Sequence, residues 1–112
     1  MSTKGWHVNV ISRKPFNVAA QKYPNDRDAL IETYKVLKKT DFHTPEELKA
    51  VFPTLDNFKY KDKWWVLDIG GNNLRLLSFI LFVNKRMYIK QIVSHAEYDK
   101  LTDKYRRAKS KD

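Results

Sequence analysis

The residues Ser94-His95-Ala96-Glu97-Tyr98-Asp99 place an imidazole, a phenol and two carboxylates within six positions of the chain. An imidazole exchanges protons near neutral pH, which suits it to general acid or base work. On a helix His95 and Asp99, four positions apart, share a face, so the carboxylate can fix the tautomer of the ring. Tyr98, three positions from His95, falls nearly on that face as well. The same residues also spell a helix start, in which Ser94 and Glu97 form a capping box and Tyr98 packs inward. Spacing alone leaves both readings open. His7 and His43 have no such company and are expected at the surface.

Arg75 is the other residue whose setting demands a partner. It stands in residues 73–83, a run apolar on both parities that Arg75 and Ser78 interrupt. A guanidinium at such a position must be paired, with a carboxylate such as Asp68 or with a phosphate, and both remain open. Lys59, Lys61, Lys63, Lys85, Arg86, Lys90, Lys100, Lys104, Arg106, Arg107, Lys109 and Lys111 belong to the same back half and can form one electropositive surface with it. A single surface lysine is ordinarily just solvated, so only the grouping points to a polyanion. No His, Asp or Glu spacing matches a metal site and no Ser or Thr sits in a nucleophile elbow, so neither a metal nor a cofactor is expected.

These residues need elements to position them. Residues 6–11, WHVNVI, alternate as a first strand, and Arg13-Lys14-Pro15 starts a helix that must stop near Tyr23, before Pro24. Asn25 or Asp26 can cap a second helix running to about Thr40, with Ala29, Leu30, Thr33, Tyr34 and Leu37 at helical spacing. Thr44-Pro45-Glu46-Glu47 is a capping box for a short third helix that ends before Pro53. Strands are expected over 58–60, 63–69, 73–83 and 86–93, and connections this short allow only an antiparallel meander. The capping box at Ser94 then starts a last helix through Leu101, Thr102 and Tyr105.

Gly70-Gly71-Asn72 lies between two of these strands. A phosphate-cradling loop needs a strand, glycines and then a helix, so a hairpin turn built on positive φ is the better reading. The hairpin is expected to bring Arg75 close to the lysines that precede Trp64.

Composition bounds the rest. A chain of 112 residues with 42% hydrophobic content builds one domain around one core. Twenty-two Lys and Arg against thirteen Asp and Glu leave a net charge of +9, the balance of a protein that meets a polyanion or an acidic partner. The absence of cysteine excludes disulfide and thiolate chemistry and suits a reducing cytoplasm. The longest apolar run, 76–83, is too short to span a bilayer, and no membrane association is expected.

The segment from Glu47 to Lys100 also carries a resemblance. Its stretches AVFPTLDNFKY, GGNNLRLL and HAEYDK, in that order, closely resemble the HigB toxins of bacterial type II toxin–antitoxin systems, members of the RelE-like ribonuclease superfamily. A weaker likeness extends through AAQKYPNDRDAL. The resemblance implies a small α+β domain, which the elements read from the residues fit independently: a single domain over 1–112 with an antiparallel sheet of about four to five strands, N-terminal helices packed on it and a short C-terminal helix, to which composition adds a basic flexible tail at about 106–112.

The implied activity is that of a ribosome-dependent endoribonuclease, an mRNA interferase that cuts translated messenger RNA without a metal, by attack of the substrate's own 2′-hydroxyl. Carry-over falls on Arg75 as the residue that meets the scissile phosphate, and on His95 and Tyr98, which match the His/Tyr region near the carboxyl end; Asp99 joins them through its spacing, to orient the imidazole. The lysines at 59, 61 and 63 resemble bases that relatives use on RNA. Some branches place a glutamate as base on a middle strand; here Asp68 is the only acid in the long strands, and His95 is the candidate base. The implied partners are the ribosome, messenger RNA and a HigA-like helix-turn-helix antitoxin, with operator DNA met only through that antitoxin. A non-catalytic basic module that binds RNA or DNA, with the His95 cluster serving only as a helix cap, remains the alternative.

Overall fold

The computed structural model of the protein describes residues 9–10 and 13–110. Most of the strand expected at 6–11 therefore lies outside the described residues; within them, Asn9–Val10 form a short β1. The helix begun by Pro15 is α1 (Lys14–Lys22), whose fixed proline φ suits a first turn. A 3₁₀ turn at Pro24–Asp26 leads into α2 (Arg27–Lys39). Asp26 precedes α2 but makes no side-chain cap bond, contrary to the sequence expectation; its carboxylate is used elsewhere. α3 (Pro45–Val51) starts as expected, the Thr44 hydroxyl accepting from the Glu47 N–H at 3.2 Å.

The sheet contains β2 (Asp56–Asn57), β3 (Trp64–Ile69), β4 (Leu74–Leu81) and β5 (Arg86–Ser94), and α4 (His95–Ser110) follows directly. Its order is β1-β5-β4-β3-β2, with β1 parallel to β5 and all other pairs antiparallel. β4 lies at the centre, which explains why its residues are apolar on both parities.

Two expectations shift. The strand placed at 58–60 is instead a turn. Phe58 donates to Trp64 O, Lys61 to Phe58 O and Trp64 to Lys61 O, and Lys63 takes a left-handed φ of 63°. Phe58 is 2% exposed and anchors this turn, so its apolar character reflects a buried plug rather than a ladder position. The last helix is also longer than a short one: it reaches Ser110, and Arg106 and Arg107, assigned from sequence to the loose tail, stand on it.

β5 carries a bulge. Leu77 pairs with Gln91 and Ser78 with Ile89, so Lys90 is left as the extra residue. The bulge lets Ile89 and Ile92, three positions apart, both pack against the same core cluster, which strict alternation would forbid.

Each face of the sheet is covered. On one, Leu67, Ile69, Leu74, Leu76 and Ile80 meet Phe16 and Ala19 of α1, Leu30 and Leu37 of α2, and Leu48 of α3. On the other, Phe58, Val66, Leu77 and Val93 meet Tyr98, Leu101 and Tyr105 of α4. A fully buried leucine contributes about 1.5–3 kcal/mol relative to an exposed one, so the first face supplies most of the driving force. No helix among the described residues is long and apolar enough to cross a membrane.

Candidate active site

Strand pairing builds the centre of the site. Asp68 and Arg75 stand opposite each other in the β3–β4 ladder. Both face α4, because Leu67, Ile69, Leu74 and Leu76 on the alternate parity fill the other core. β5 runs into α4 without a loop, and His95, the first residue of the helix, donates its backbone N–H to Asn73 O at 3.1 Å. The imidazole is thereby held beside the start of β4.

The Arg75 guanidinium, 12% exposed at its side chain, spends most of its fork on the protein. Nε lies 3.2 Å from Asp68 Oδ1, and Nη1 donates to the carbonyl oxygens of Asn72 at 2.7 Å and Leu74 at 3.4 Å. Nη2 donates to His95 Nδ1 at 2.8 Å. A guanidinium can only donate, so Nδ1 is the accepting nitrogen and the neutral ring carries its proton on Nε2. That nitrogen is 3.6 Å from Asp99 Oδ2. Of the two partners left open for Arg75, the carboxylate of Asp68 is the one it holds in the free protein.

Tyr98 closes the site from α4. Its ring lies 5.6 Å from Cζ of Arg75 and 6.2 Å from the ring of Phe58. Burial raises its phenol above the ordinary tyrosine range, so in neutral solution it keeps its proton.

The cap and the chemistry separate onto different residues. Ser94 Oγ accepts from the Glu97 N–H and Glu97 Oε1 accepts from the Ser94 N–H, each at 3.2 Å, so the capping box closes without the His95 side chain. Glu97 also accepts from the Tyr23 hydroxyl at 2.6 Å and lies 3.4 Å from Lys22, which ties α4 to α1. The Tyr23 hydrogen bond and the Ser94 N–H hold its carboxyl down at about 2, well below the usual range.

The Gly-Gly-Asn-Asn hairpin does more than turn. Gly70 and Gly71 have φ of 65° and 72°. Asp26 accepts from Asn73 Nδ2 at 3.1 Å, and a Cβ on Gly70 would collide with that carboxylate. The turn is docked on the entrance to α2, and from there the carbonyls of Asn72 and Asn73 hold Arg75 and His95. Sequence reasoning missed Asp26, Asn72 and Asn73 in this role. Two asparagines following two glycines carry an amide and carbonyls to spare, but nothing local in the sequence says what they meet.

The bases do not form one patch around Arg75. Trp64 pairs with Phe79, four residues along β4 from Arg75, so Lys59, Lys61 and Lys63 lie roughly 13 Å down the strand rather than beside it. This corrects the placement expected of the hairpin. Lys85 and Arg86 are further away, at the turn where Leu81 meets Arg86, roughly 20 Å along β4. Lys85 bonds Asp41 at 3.1 Å, and Lys63 bonds Asp62 at 3.1 Å. Lys90 is exposed in the bulge beside α1, near Lys14 and Lys22. On α4, Lys100 and Lys104 are exposed, while Arg106 and Arg107 both pair with Asp103. The side chain of Lys109 and all of Lys111 lie outside the described residues. The structure thus brings Arg75, His95, Tyr98 and Asp99 together and spreads the lysines.

Comparison with known proteins bears on this arrangement. The family model described as HigB toxin, RelE-like toxic component of a toxin-antitoxin system, matches residues 26–101, a span that includes Arg75, His95, Tyr98 and Asp99. The chain is 59% identical over 102 residues to a protein named mRNA interferase HigB from Escherichia coli O6:H1, covering 91% of this chain and 99% of that one. It is 41% identical over 99 residues to the mRNA interferase toxin HigB of Escherichia coli K12, covering 88% and 95% respectively.

Proposed function

This chain belongs to the HigB family of RelE-like toxin components, and we propose that it is an mRNA interferase: an endoribonuclease that cuts messages under translation on the ribosome and is restrained by a cognate antitoxin. The observation that carries the chemistry is the 2.8 Å hydrogen bond from Arg75 Nη2 to His95 Nδ1, which sets a fixed positive charge beside a proton carrier.

The substrate supplies its own nucleophile. The 2′-oxygen attacks the adjacent phosphorus, the P–O5′ bond breaks, and the products are a 2′,3′-cyclic phosphate and a 5′-oxygen that becomes a hydroxyl by taking a proton from Tyr98 or from water. The protein has to accept the 2′-hydroxyl proton, balance charge on the phosphoryl oxygens and support the departing 5′-oxygen. Nδ1 carries the free lone pair of His95, but Arg75 occupies it in the resting protein. A phosphate arriving at Arg75 takes the Nη2 donor and releases Nδ1 to the 2′-hydroxyl. Once protonated, Nδ1 no longer accepts from Arg75, so the guanidinium stays with the phosphoryl group as its charge grows. Asp68 and the Asn72 carbonyl keep the fork oriented throughout. Asp99, on the Nε2 side of the ring, favours the tautomer that carries its proton there. Tyr98, protonated and stacked over Arg75, orients the RNA or assists the leaving oxygen.

Lys59, Lys61, Lys63, Lys85, Arg86, Lys90, Lys104, Arg106 and Arg107 then serve as dispersed contacts to message and ribosomal RNA, which suits a protein seated in a ribosomal site with RNA on several sides. The antitoxin is a helix-turn-helix protein, operator DNA is reached only through it, and the site of action is the cytoplasm.

Primer extension on a translated message, with and without ribosomes, tests the proposal. Cuts should appear only within the translated region and only when ribosomes are present, and induction of the chain should arrest growth unless the antitoxin is co-expressed. RNA binding without any cut would leave a basic binding module instead.

A further inference from the structure

The α4 face of the sheet holds more rings and cations than are needed to pack one helix. Phe58 is buried, and four rings surround it: Tyr60 at 5.7 Å, Tyr105 at 5.8 Å, Trp64 at 6.0 Å and Tyr98 at 6.2 Å between centroids. Tyr60, Trp64 and Tyr105 are only half-buried. Over them sit cations: Lys59 Nζ is 5.4 Å from the Tyr60 ring, and Lys61 Nζ is 5.0 Å from Tyr105 and 6.0 Å from Trp64. Arg75 stands in the same relation to Tyr98. Lys63, Arg106 and Arg107 are each paired with an aspartate, but neither Lys59 nor Lys61 meets a carboxylate among the described residues. A small core under an amphipathic helix is satisfied by aliphatic side chains, and solvated lysines have no need of ring faces.

We propose that Tyr60, Trp64 and Tyr105, with Lys59 and Lys61, form a stacking subsite for the bases of the nucleotides that flank the scissile phosphate on one side. The proposal rests on the endoribonuclease reading above and assigns its substrate a path. From Arg75 the track runs through Tyr98 to the rings around Phe58, along the roughly 13 Å that separate Arg75 from the strand position opposite Trp64. Every base has a π face, so rings of this kind hold single-stranded RNA with little regard to sequence, and lysines beside them move from ring to phosphate as the strand arrives. Because Phe58 already pins the rings, stacking costs little conformational entropy. The subsite fixes the strand rather than touching the reacting atoms, so its loss weakens binding more than it slows the chemical step.

The test is single-turnover cleavage on programmed ribosomes at increasing protein concentration, giving a half-saturating concentration and a plateau rate. Tyr60→Leu combined with Tyr105→Leu keeps apolar volume but removes the ring faces; Tyr60→Phe combined with Tyr105→Phe keeps them. The Leu pair should raise half-saturation about ten-fold with a plateau within three-fold of wild type, and the Phe pair should match wild type. A message carrying 2-aminopurine beside the cut should lose fluorescence on binding wild type and not the Leu pair. Should the Leu pair fail to fold, Lys59→Gln with Lys61→Gln replaces it, with a raised half-saturation and a shallower salt dependence as the expected result. Half-saturation and quenching unchanged in the Leu pair, or equal losses in the Leu and Phe pairs, would overturn the subsite while leaving the nuclease intact. A wild-type chain that cuts no message would overturn the nuclease reading and this path with it.

Discussion

Beneath α1, α2 and α3 the sheet presents Leu67, Ile69, Leu74, Leu76 and Ile80; beneath α4 the same strands present Val66, Asp68, Arg75 and Leu77 beside a ring of aromatic side chains. Alternation along β3 and β4 hands successive residues to opposite faces, so one strand contributes to both without either side chain set meeting the other. The face beneath α1, α2 and α3 is built from aliphatic side chains and rings such as Phe16 and Phe42 with no charged group in its cluster, which is what a stabilising core requires. The α4 face keeps a guanidinium–carboxylate pair largely buried beside an exposed imidazole, and apolar residues of similar volume would often match or improve on such a buried pair for stability. Groups of that kind are retained where they have another task.

If the division is real, substitutions on the two faces should give different kinds of failure. The largest effect is expected from His95→Ala, which should slow single-turnover cleavage about 10²–10⁴-fold with little change in melting temperature, because the helix cap rests on Ser94 and Glu97. A rate within a few-fold of wild type would return the imidazole to a structural role.

Arg75→Ala should lower the rate about 10²–10³-fold. Arg75→Lys should also be impaired, since a compact ammonium cannot reproduce the planar fork whose separate nitrogens reach Asp68, Asn72 and His95. Thermal melts run beside the assay decide the assignment: a stability loss large enough to account for the lost activity would place Arg75 with the core rather than with the phosphate.

Leu76→Ala, on the opposite parity next to Arg75 and fully buried, should show the reverse pattern. It should cost about 2–5 kcal/mol in urea unfolding while the folded fraction cleaves at the normal rate. A large change in rate per folded molecule would mean that the two faces are coupled through β4.

The smallest effect is expected at Glu97, which joins the faces by tying α4 to α1. Its folded carboxyl titrates at about 2, below the ordinary value of 4.5, so it stabilises the fold at neutral pH and that contribution fades as pH falls from about 4.5 toward 2. The side chain is 43% exposed, and solvent screening reduces the contribution to about 1 kcal/mol. Glu97→Gln should remove this part of the acid dependence of urea unfolding; a variant that keeps the wild-type slope over that range would exclude Glu97 as its source.

Local chemistry in the sequence determined a good deal. Pro15, the capping boxes at Thr44 and Ser94 and the helical spacing of the α2 leucines place helix starts and inward faces, because caps and periodicity act within a turn or two of chain. The two glycines announce a turn because few other residues accept their φ. Arg75 was legible as a residue that must be paired, and His95, Tyr98 and Asp99 as one constellation, since each follows from residue type and near spacing. What only the tertiary structure decided is which distant groups they meet. Phe58 reads as a strand residue until its burial as a plug is seen, and Asp26 reads as a helix cap until Asn73 claims its carboxylate. The lysines read as one patch until the β3–β4 register and the Lys90 bulge distribute them along the molecule. Long charged side chains carry no short-range preference for a partner, so their pairing is settled by register, bulges and the docking of turns, all of which depend on residues far away in the chain.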